Sequence, residues 1–330
     1  MRIDSFRAPN FHTLEKKIAG FPWELYLQPY RDPEFRVTSR RSRIIHTQAI
    51  AERFKSGIAQ RFAEMNIGDT RVPPQSPRQK LFIRTVEDRF TVSLDSSGKS
   101  LYKRGIKKQP ATAPIRETTA SAILMLAGYS CSDPLLDAMC GSGTFSLEAA
   151  MMVQNIPAGW FRDFAFTGWP AFGINYKRWE YLKSHHGKAI ARPDRARIFA
   201  SDIDRNACNL LEKVAAKYQM SHSINVCNRD FFHLSPADLA DQPGLVVINP
   251  PYGRRIGTPQ ESERLFEQLC EKLKADYKGW KFALIAPRKS LLAAIPFPVK
   301  THPVLHGGLI RYIAVGKIPK RKKKSDSPVP

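Results

Sequence analysis

LLDAMCGSGTFSLEAA, residues 135–150, decides the fold. An apolar run, Leu135–Met139, stops at Gly141-Ser142-Gly143 and passes directly into a helix predicted over 144–154. A strand that meets a helix through closely spaced glycines leaves backbone N–H groups open at the turn, where a ligand can approach. The same alternation continues on both sides. A helix is predicted over 115–128, then strand 197–203, helix 205–219 and strand 224–227. Strand 245–248, helix 261–275, strand 282–286 and a last strand over 309–315 follow. Repeated strand–helix units predict an α/β, doubly wound, Rossmann-like sheet, mostly parallel, with helices on both faces.

The chain upstream is patterned differently. Phe35–Ser39 reads as a strand. Thr47–Met65 reads as a helix with Ile50, Phe54, Ile58 and Phe62 on one stripe. Leu81–Ile83 and Phe90–Leu94 read as a strand pair across Glu87-Asp88-Arg89. A Pro-rich stretch at 72–77 and a loop at 109–114 punctuate this small α+β region. The expected organisation is an N-terminal domain over 1–100, a linker over 101–113, a main domain over 114–318 and a basic, disordered tail over 319–330.

Charge limits the partners. Across 330 residues, 52 Lys and Arg stand against 30 Asp and Glu, a net charge of +22. The first 110 residues carry 22 of the cations and 11 of the acids, so a third of the chain supplies half the excess. That excess calls for a polyanion. No apolar run is long enough to span a bilayer, and the N-terminus has charges where a signal peptide needs its apolar stretch. Cys131, Cys140, Cys208, Cys227 and Cys270 are odd in number and form no CxxC pair, so neither a disulfide framework nor a zinc site is expected. A cytoplasmic chain that meets nucleic acid, with no membrane and no metal, is the simplest expectation.

Three readings compete for the glycine loop. A dinucleotide fingerprint requires glycine where Ser146 stands and an acidic residue about 20 positions on, whereas the next acidic strand end is Asp202. Gly98-Lys99-Ser100 ends like a phosphate-binding loop, but Ser93 occupies its first glycine. An S-adenosylmethionine loop fits, with Asp137 ahead of the turn and Cys140, Gly141, Ser142, Gly143 and Thr144 around the donor's methionine part. Asp202 ends the next strand and can accept from ribose hydroxyls. Asp230 and Phe231 end the third and can accept from an adenine amine and stack on its ring. Taken singly, Asp202 and Asp204 read equally well as caps of helix 205–219.

The fourth strand end is Asn249-Pro250-Pro251-Tyr252. An exocyclic amine on a base is a poor nucleophile, because its lone pair is delocalised into the ring. Acceptance of its two N–H bonds by Asn249 Oδ1 and the Pro250 carbonyl would draw the nitrogen toward tetrahedral geometry. Pro250 and Pro251 stiffen the turn, and Tyr252 offers a ring to an extruded base. The plainer reading is a Pro-Pro strand stop with an Asn cap.

DPLLDAMCGSGTFSLEAAM, SDIDRNACNLLEKVAAKY and INPPYG together resemble the class I methyltransferases that carry a THUMP RNA-binding domain. That group includes bacterial large-subunit rRNA guanine-N2 and archaeal tRNA guanine-N2 enzymes. FPWELYL, VTSRRSRIIHT, SLDSSGKSLYKRG and APIRETTASAIL resemble the family's THUMP region and the helix before its cofactor loop. PAGWFRDFAFTGWPAF resembles its insertion after the first helix. Relatives usually begin with a ferredoxin-like segment, which is expected to be missing or truncated here. The resemblance implies that Pro114 and Glu117 lie near the methionine end of the cofactor, and that Lys103 and Arg104 lie on the RNA path. It implies methyl transfer to guanine N2 in 23S rRNA. Adenine N6, a tRNA substrate, and a non-catalytic RNA-binding assembly factor remain alternatives. With Arg40, Arg41 and Arg43, these cations are expected to form one basic surface leading to Asn249.

Overall fold

The computed structural model describes residues 1–29, 31–66, 78–106, 115–173, 176–251, 258–306 and 308–320. The stretch at 72–77, Lys107, Lys108, Pro114, Tyr252 and the tail from 321 onward lie outside the described residues. The chain divides into two units, Met1–Leu101 with Arg162–Lys188, and Tyr102–Phe161 with Ala189–Pro330.

The first unit begins with β1 (Arg2–Arg7), α1 (Phe11–Ala19), β2 (Glu34–Arg40), α2 (Thr47–Glu64), β3 (Lys80–Val86) and β4 (Arg89–Leu94). Its sheet runs β1-β4-β3-β2. Val86 pairs with Arg89, so Glu87 and Asp88 form a two-residue hairpin with φ of 51° and 61°, the doubly left-handed turn that matches strand twist. The expected stripe of α2, Ile50, Phe54, Ile58 and Phe62, is buried throughout. It packs with Trp23, Leu81, Ile83, Phe90 and Val92. β1 was not legible in the sequence: Arg-Ile-Asp-Ser-Phe-Arg has no clean alternation, and β1 is an edge strand. α1 went unread although the Asn10 cap and the Leu14–Ile18 spacing signal it.

The second unit opens with α3 (Glu117–Leu126), β5 (Leu135–Ala138) and α4 (Thr144–Val153). The chain then leaves it for α5 (Pro170–Gly173) and α6 (Tyr176–Gly187). It returns with β6 (Ile198–Asp202), α7 (Arg205–Lys217), β7 (Ile224–Asn228), β8 (Leu245–Ile248), α8 (Pro259–Asp276), β9 (Lys281–Ala286), β10 (Val299–His306) and β11 (Leu309–Lys317). The sheet order is β10-β11-β9-β8-β5-β6-β7. Neighbours from β9 to β7 run parallel, while β11 is antiparallel to both β9 and β10. β10 went unread because Pro303 interrupts it, and proline is tolerated there because β10 is the edge.

The excursion between α4 and β6 corrects the expected continuous main domain. Arg162–Lys188 belongs to the first unit for a local reason. Trp169 is buried in that unit's core, with Phe166 and Phe172 packed against it. The Trp169 indole N–H donates to Gln79 Oε1 at 3.0 Å. The Arg162 guanidinium donates to the carbonyls of Ser97 at 2.8 Å and Ser100 at 3.2 Å, and also to that of Lys99.

Strand register sets the level of the site. Ala138 of β5 pairs with Ser201 of β6 on one side and Ile248 of β8 on the other. Met139, Asp202 and Asn249 therefore stand level at the carboxyl ends of three neighbouring strands. From β5 the chain winds outward to β6 and β7, then crosses back to β8, so the β5–β8 border is the switch point where open α/β sheets form a crevice.

At the opposite end of these two strands, the Leu245 N–H donates to the Pro134 carbonyl at 2.9 Å. Gly244 comes so close that a Cβ there would stand 1.9 Å from that carbonyl oxygen. The obstacle is backbone and cannot swing aside. Gly244→Ala is expected to cost about 1–3 kcal/mol, the range for overpacking, read as a lower urea midpoint with an unchanged slope.

Candidate active site

The loop after β5 is built on a buried carboxylate. Asp137 is 1% exposed, and its Oδ2 accepts from the Ser146 backbone N–H at 3.0 Å and from Ser146 Oγ at 2.6 Å. Gly143, the N-cap residue of α4, has no side chain to satisfy the helix's first N–H groups. Asp137 does so from the strand, and its negative charge suits the helix N-terminus. Met139, Gly141 and Gly143 all have left-handed φ, at 57°, 52° and 68°. The two glycines differ in what surrounds them. A Cβ at Gly143 would lie 2.3 Å from Leu211 Cδ1, whereas one at Gly141 would meet nothing within 4 Å. Gly143 is required by packing, and Gly141 faces open space.

Asp202 ties this loop to the end of β6. Its Oδ2 accepts the Gly141 N–H at 2.8 Å and its Oδ1 accepts the Asp204 N–H at 2.9 Å. Asp204 is the helix cap: it begins α7 and accepts from the Asn206 N–H at 2.8 Å. The two carboxylates that the sequence left equivalent are thus separated. Between them Ile203 is 74% exposed, an apolar side chain in solvent beside an oriented carboxylate. Asn228 at the end of β7 fixes this corner by donating from Nδ2 to the carbonyls of Asp202 and Ile203, each at 2.9 Å. Neither Ile203 nor Asn228 was singled out from sequence, though the flanking acids and the strand-end position were available signals.

The remaining expected residues are placed as follows. Cys140 is buried; its N–H donates to the Ser201 carbonyl at 2.9 Å, and burial pushes its thiol pKa far up. Ser142 is half-buried and Thr144, the first residue of α4, is buried. Glu117 is the half-buried first residue of α3. Asp230 begins a short 3-10 turn and accepts from the Phe232 N–H at 2.9 Å. Asn249 is half-buried, Pro250 buried and Pro251 half-buried.

Two expectations are corrected. The Phe231 ring is 2% exposed and lies within the core, stacked on Tyr277 with centroids 5.6 Å apart. It is packed protein interior and presents no face for an adenine. Arg104 is 9% exposed, and its Nε and Nη2 donate to Glu148 Oε1 and Oε2 at 2.9 and 3.0 Å. Those bonds raise the guanidinium pKa above its ordinary value and use the fork that a phosphate would need. Lys103 next to it is exposed, with its ammonium 6.0 Å from the Tyr102 ring. In the first unit Arg40, Arg41 and Arg43 are exposed. Arg41 leaves the strand at φ 46°, and Arg43 is held by its N–H to Asp88 Oδ1 at 2.7 Å.

Among the described residues no group of three or more His, Cys, Asp or Glu could hold a metal ion, and no helix is long and apolar enough to cross a membrane.

The family model described as UPF0020, RMKL-like, methyltransferase domain, matches residues 104–298, more than half of the chain. The Synechocystis protein named "Putative RNA methyltransferase slr0064" is 29% identical over 94% of this chain and 80% of its own length. The ribosomal RNA large subunit methyltransferase K/L of Marinomonas is 28% identical over 93% of this chain and 43% of its own length. The chain thus spans less than half of that relative. A Listeria monocytogenes structure described as "a predicted N6-adenine-specific DNA methylase" has a TM-score of 0.79 at 23% identity, over 96% of this chain and 81% of its own. A structure described as "SMU.472, a putative methyltransferase complexed with SAH" has a TM-score of 0.75 at 24% identity, over 98% and 84%. These likenesses show the class I methyltransferase α/β fold.

The Arg104–Glu148 pair fastens the start of the second unit to the helix that follows the glycine loop. Arg104→Ala leaves a buried carboxylate unpaired and is expected to destabilise by about 3–5 kcal/mol. Arg104→Met combined with Glu148→Leu should recover most of that loss in urea unfolding, which separates the pairing of the charges from their mere presence.

Proposed function

The chain belongs to the RMKL-like methyltransferase family, and from that premise we propose that it transfers a methyl group from S-adenosylmethionine to an exocyclic amine of a base in RNA, guanine N2 of large-subunit rRNA. The observation that carries this reading is the level meeting of Asn249 at the end of β8 with the Gly141 loop and Asp202, at the sheet's switch point. Relatives named as RNA and large-subunit rRNA methyltransferases support the substrate class, as does the net charge of +22.

The residues fit the donor. Open space over Gly141 leaves room for its methionine part. The free lone pairs of the Asp202 carboxylate, already oriented by two backbone N–H bonds, suit ribose hydroxyls. The exposed Ile203 suits an adenine face, in place of the buried Phe231. Asp230 is held half-exposed by its own turn and can accept from the adenine amine. Pro114 and Glu117 belong to the methionine end by family resemblance. When bound, the donor supplies an electrophilic methyl group on a sulfonium.

The chain's own contribution is orientation. Asn249 Oδ1 and the Pro250 carbonyl accept hydrogen bonds from the amine's two N–H groups and turn the nitrogen lone pair outward, while Pro250 and Pro251 hold the turn rigid. The methylated nitrogen then loses one proton to water. Tyr252 stacks on the target base. Arg40, Arg41, Arg43 and Lys103 bind phosphates, and the N-terminal unit serves as the THUMP-like RNA-binding part. The Listeria structure's description favours adenine N6 as a second reading, because the same geometry activates either amine.

Asn249→Ala should leave donor affinity within a few-fold of wild type while methyl transfer falls by about 10²-fold or more. Asp202→Ala should weaken donor binding by about 1.5–3 kcal/mol, the worth of hydrogen bonds to a charged group. Total RNA incubated with labelled donor and digested to nucleosides should yield N2-methylguanosine from the large rRNA. Label in N6-methyladenosine, or in tRNA, would replace the specific assignment. No label in any RNA fraction would overturn the function.

A further inference from the structure

We propose that α6 carries a contact site for single-stranded RNA, built from residues other than those of the methyl-transfer site and the Arg40–Arg43 group; the inference rests on the RNA substrate proposed above. The helix sequence YKRWEYLKSHHG has no buried residue. Two rings anchor it: Trp179 packs edge-on against Phe166 at 5.3 Å, Phe164 at 6.2 Å and Phe172 at 6.4 Å, and Tyr176 meets Phe172 edge-on at 6.4 Å. Everything opposite Trp179 is turned to solvent.

Helical spacing sorts that outer face. Lys177, Tyr181 and Lys188 follow one another at i, i+4 and i+11, with Arg178 and His185 alongside. Lys188 continues the helical path, since its N–H donates to the Ser184 carbonyl at 3.3 Å. All five side chains are exposed, Tyr181 by 65%. The Tyr181 and His185 rings are stacked, with centroids 6.0 Å apart and planes 24° from parallel. The face therefore offers a flat aromatic platform with a lysine on either side, about 16 Å apart along the axis. Glu180 is the helix's one acid; it stands one turn from Tyr176 and raises the pKa of that phenol.

Charge complementarity commits this face to a polyanion. An aliphatic protein partner would need an apolar patch, and Leu182, the helix's one exposed aliphatic residue, points to the Trp179 side. The ring platform selects among polyanions: an exposed stack can receive an unpaired base, whereas bases in a duplex are already stacked on each other. Backbone cations flanking a stacking surface is the arrangement that holds single strands with little sequence preference.

The test uses the full chain, a fluorescein-labelled oligouridylate and an RNA duplex, read by anisotropy over a range of salt concentrations. Tyr181→Ala should weaken oligouridylate binding about fivefold or more, the loss of one base stack, and leave the salt slope unchanged, with Tyr181→Phe close to wild type. Lys177→Gln with Lys188→Gln should lower the log–log salt slope by about 1.4, or about 0.7 for each phosphate contact. Duplex binding should change less in both. An unchanged urea midpoint confirms that both variants stay folded. Wild-type affinity and slope in both variants would overturn the site, also where the same changes abolish capture of a ribosomal protein, which would assign the face to protein. Failure of the methylation reading looks different: RNA bound with this dependence on α6, yet no label transferred.

Discussion

Asp137 is the constraint on which the rest of the active-site end depends. A carboxylate at 1% exposure is costly unless its charge is met, and here the Ser146 N–H and hydroxyl meet it. That pairing brings the start of α4 back onto β5 and compresses the intervening loop, which needs three left-handed residues to turn in so little chain. The compression brings Gly143 against Leu211 and leaves Gly141 facing open space. The same loop then gives the Gly141 N–H to Asp202, so one buried charge orients a second, half-exposed one.

Parallel register carries this order across the sheet. With Ala138 flanked by Ser201 and Ile248, the ends of three strands are level, so the proposed donor site and the proposed amine-binding turn fall in one crevice. Antiparallel β11 and edge strand β10 close the far side without touching that geometry. The arrangement is rigid where chemistry needs it: Pro250 is buried, and Asp202 and Asn228 both tie backbone to side chain at the β6 and β7 ends.

The N-terminal unit recruits a piece of the second unit's sequence. Arg162 and Trp169 have their hydrogen-bonding and apolar partners there, so the excursion after α4 adds α5 and α6 to the first unit. A helix fixed through Trp179 and the edge of Tyr176 can leave its outer face exposed, and α6 does so. Its stability comes from the anchor, and its composition is free to serve another end.

Local pattern alone determined the core strand–helix alternation from α3 to β9 outside the 162–188 excursion, the stripe of α2, a strand pair turning near Glu87-Asp88-Arg89, and the sequence order of glycine loop, Asp202, Asp230 and Asn249 along successive strand ends. Those features repeat every two or 3.6 residues or sit at fixed offsets, so neighbours in sequence suffice to read them. Tertiary structure decided what depends on distant partners. It made Asp204 the cap and left Asp202 to organise the loop. It buried Phe231 against Tyr277, 46 positions on, and exposed Ile203. It turned Arg104 inward to Glu148, 44 positions away, where the family resemblance implied a cation on the RNA path. A side chain's charge or ring is written in the sequence; whether solvent, a ligand or another side chain meets it is settled by contacts that the chain makes only when folded.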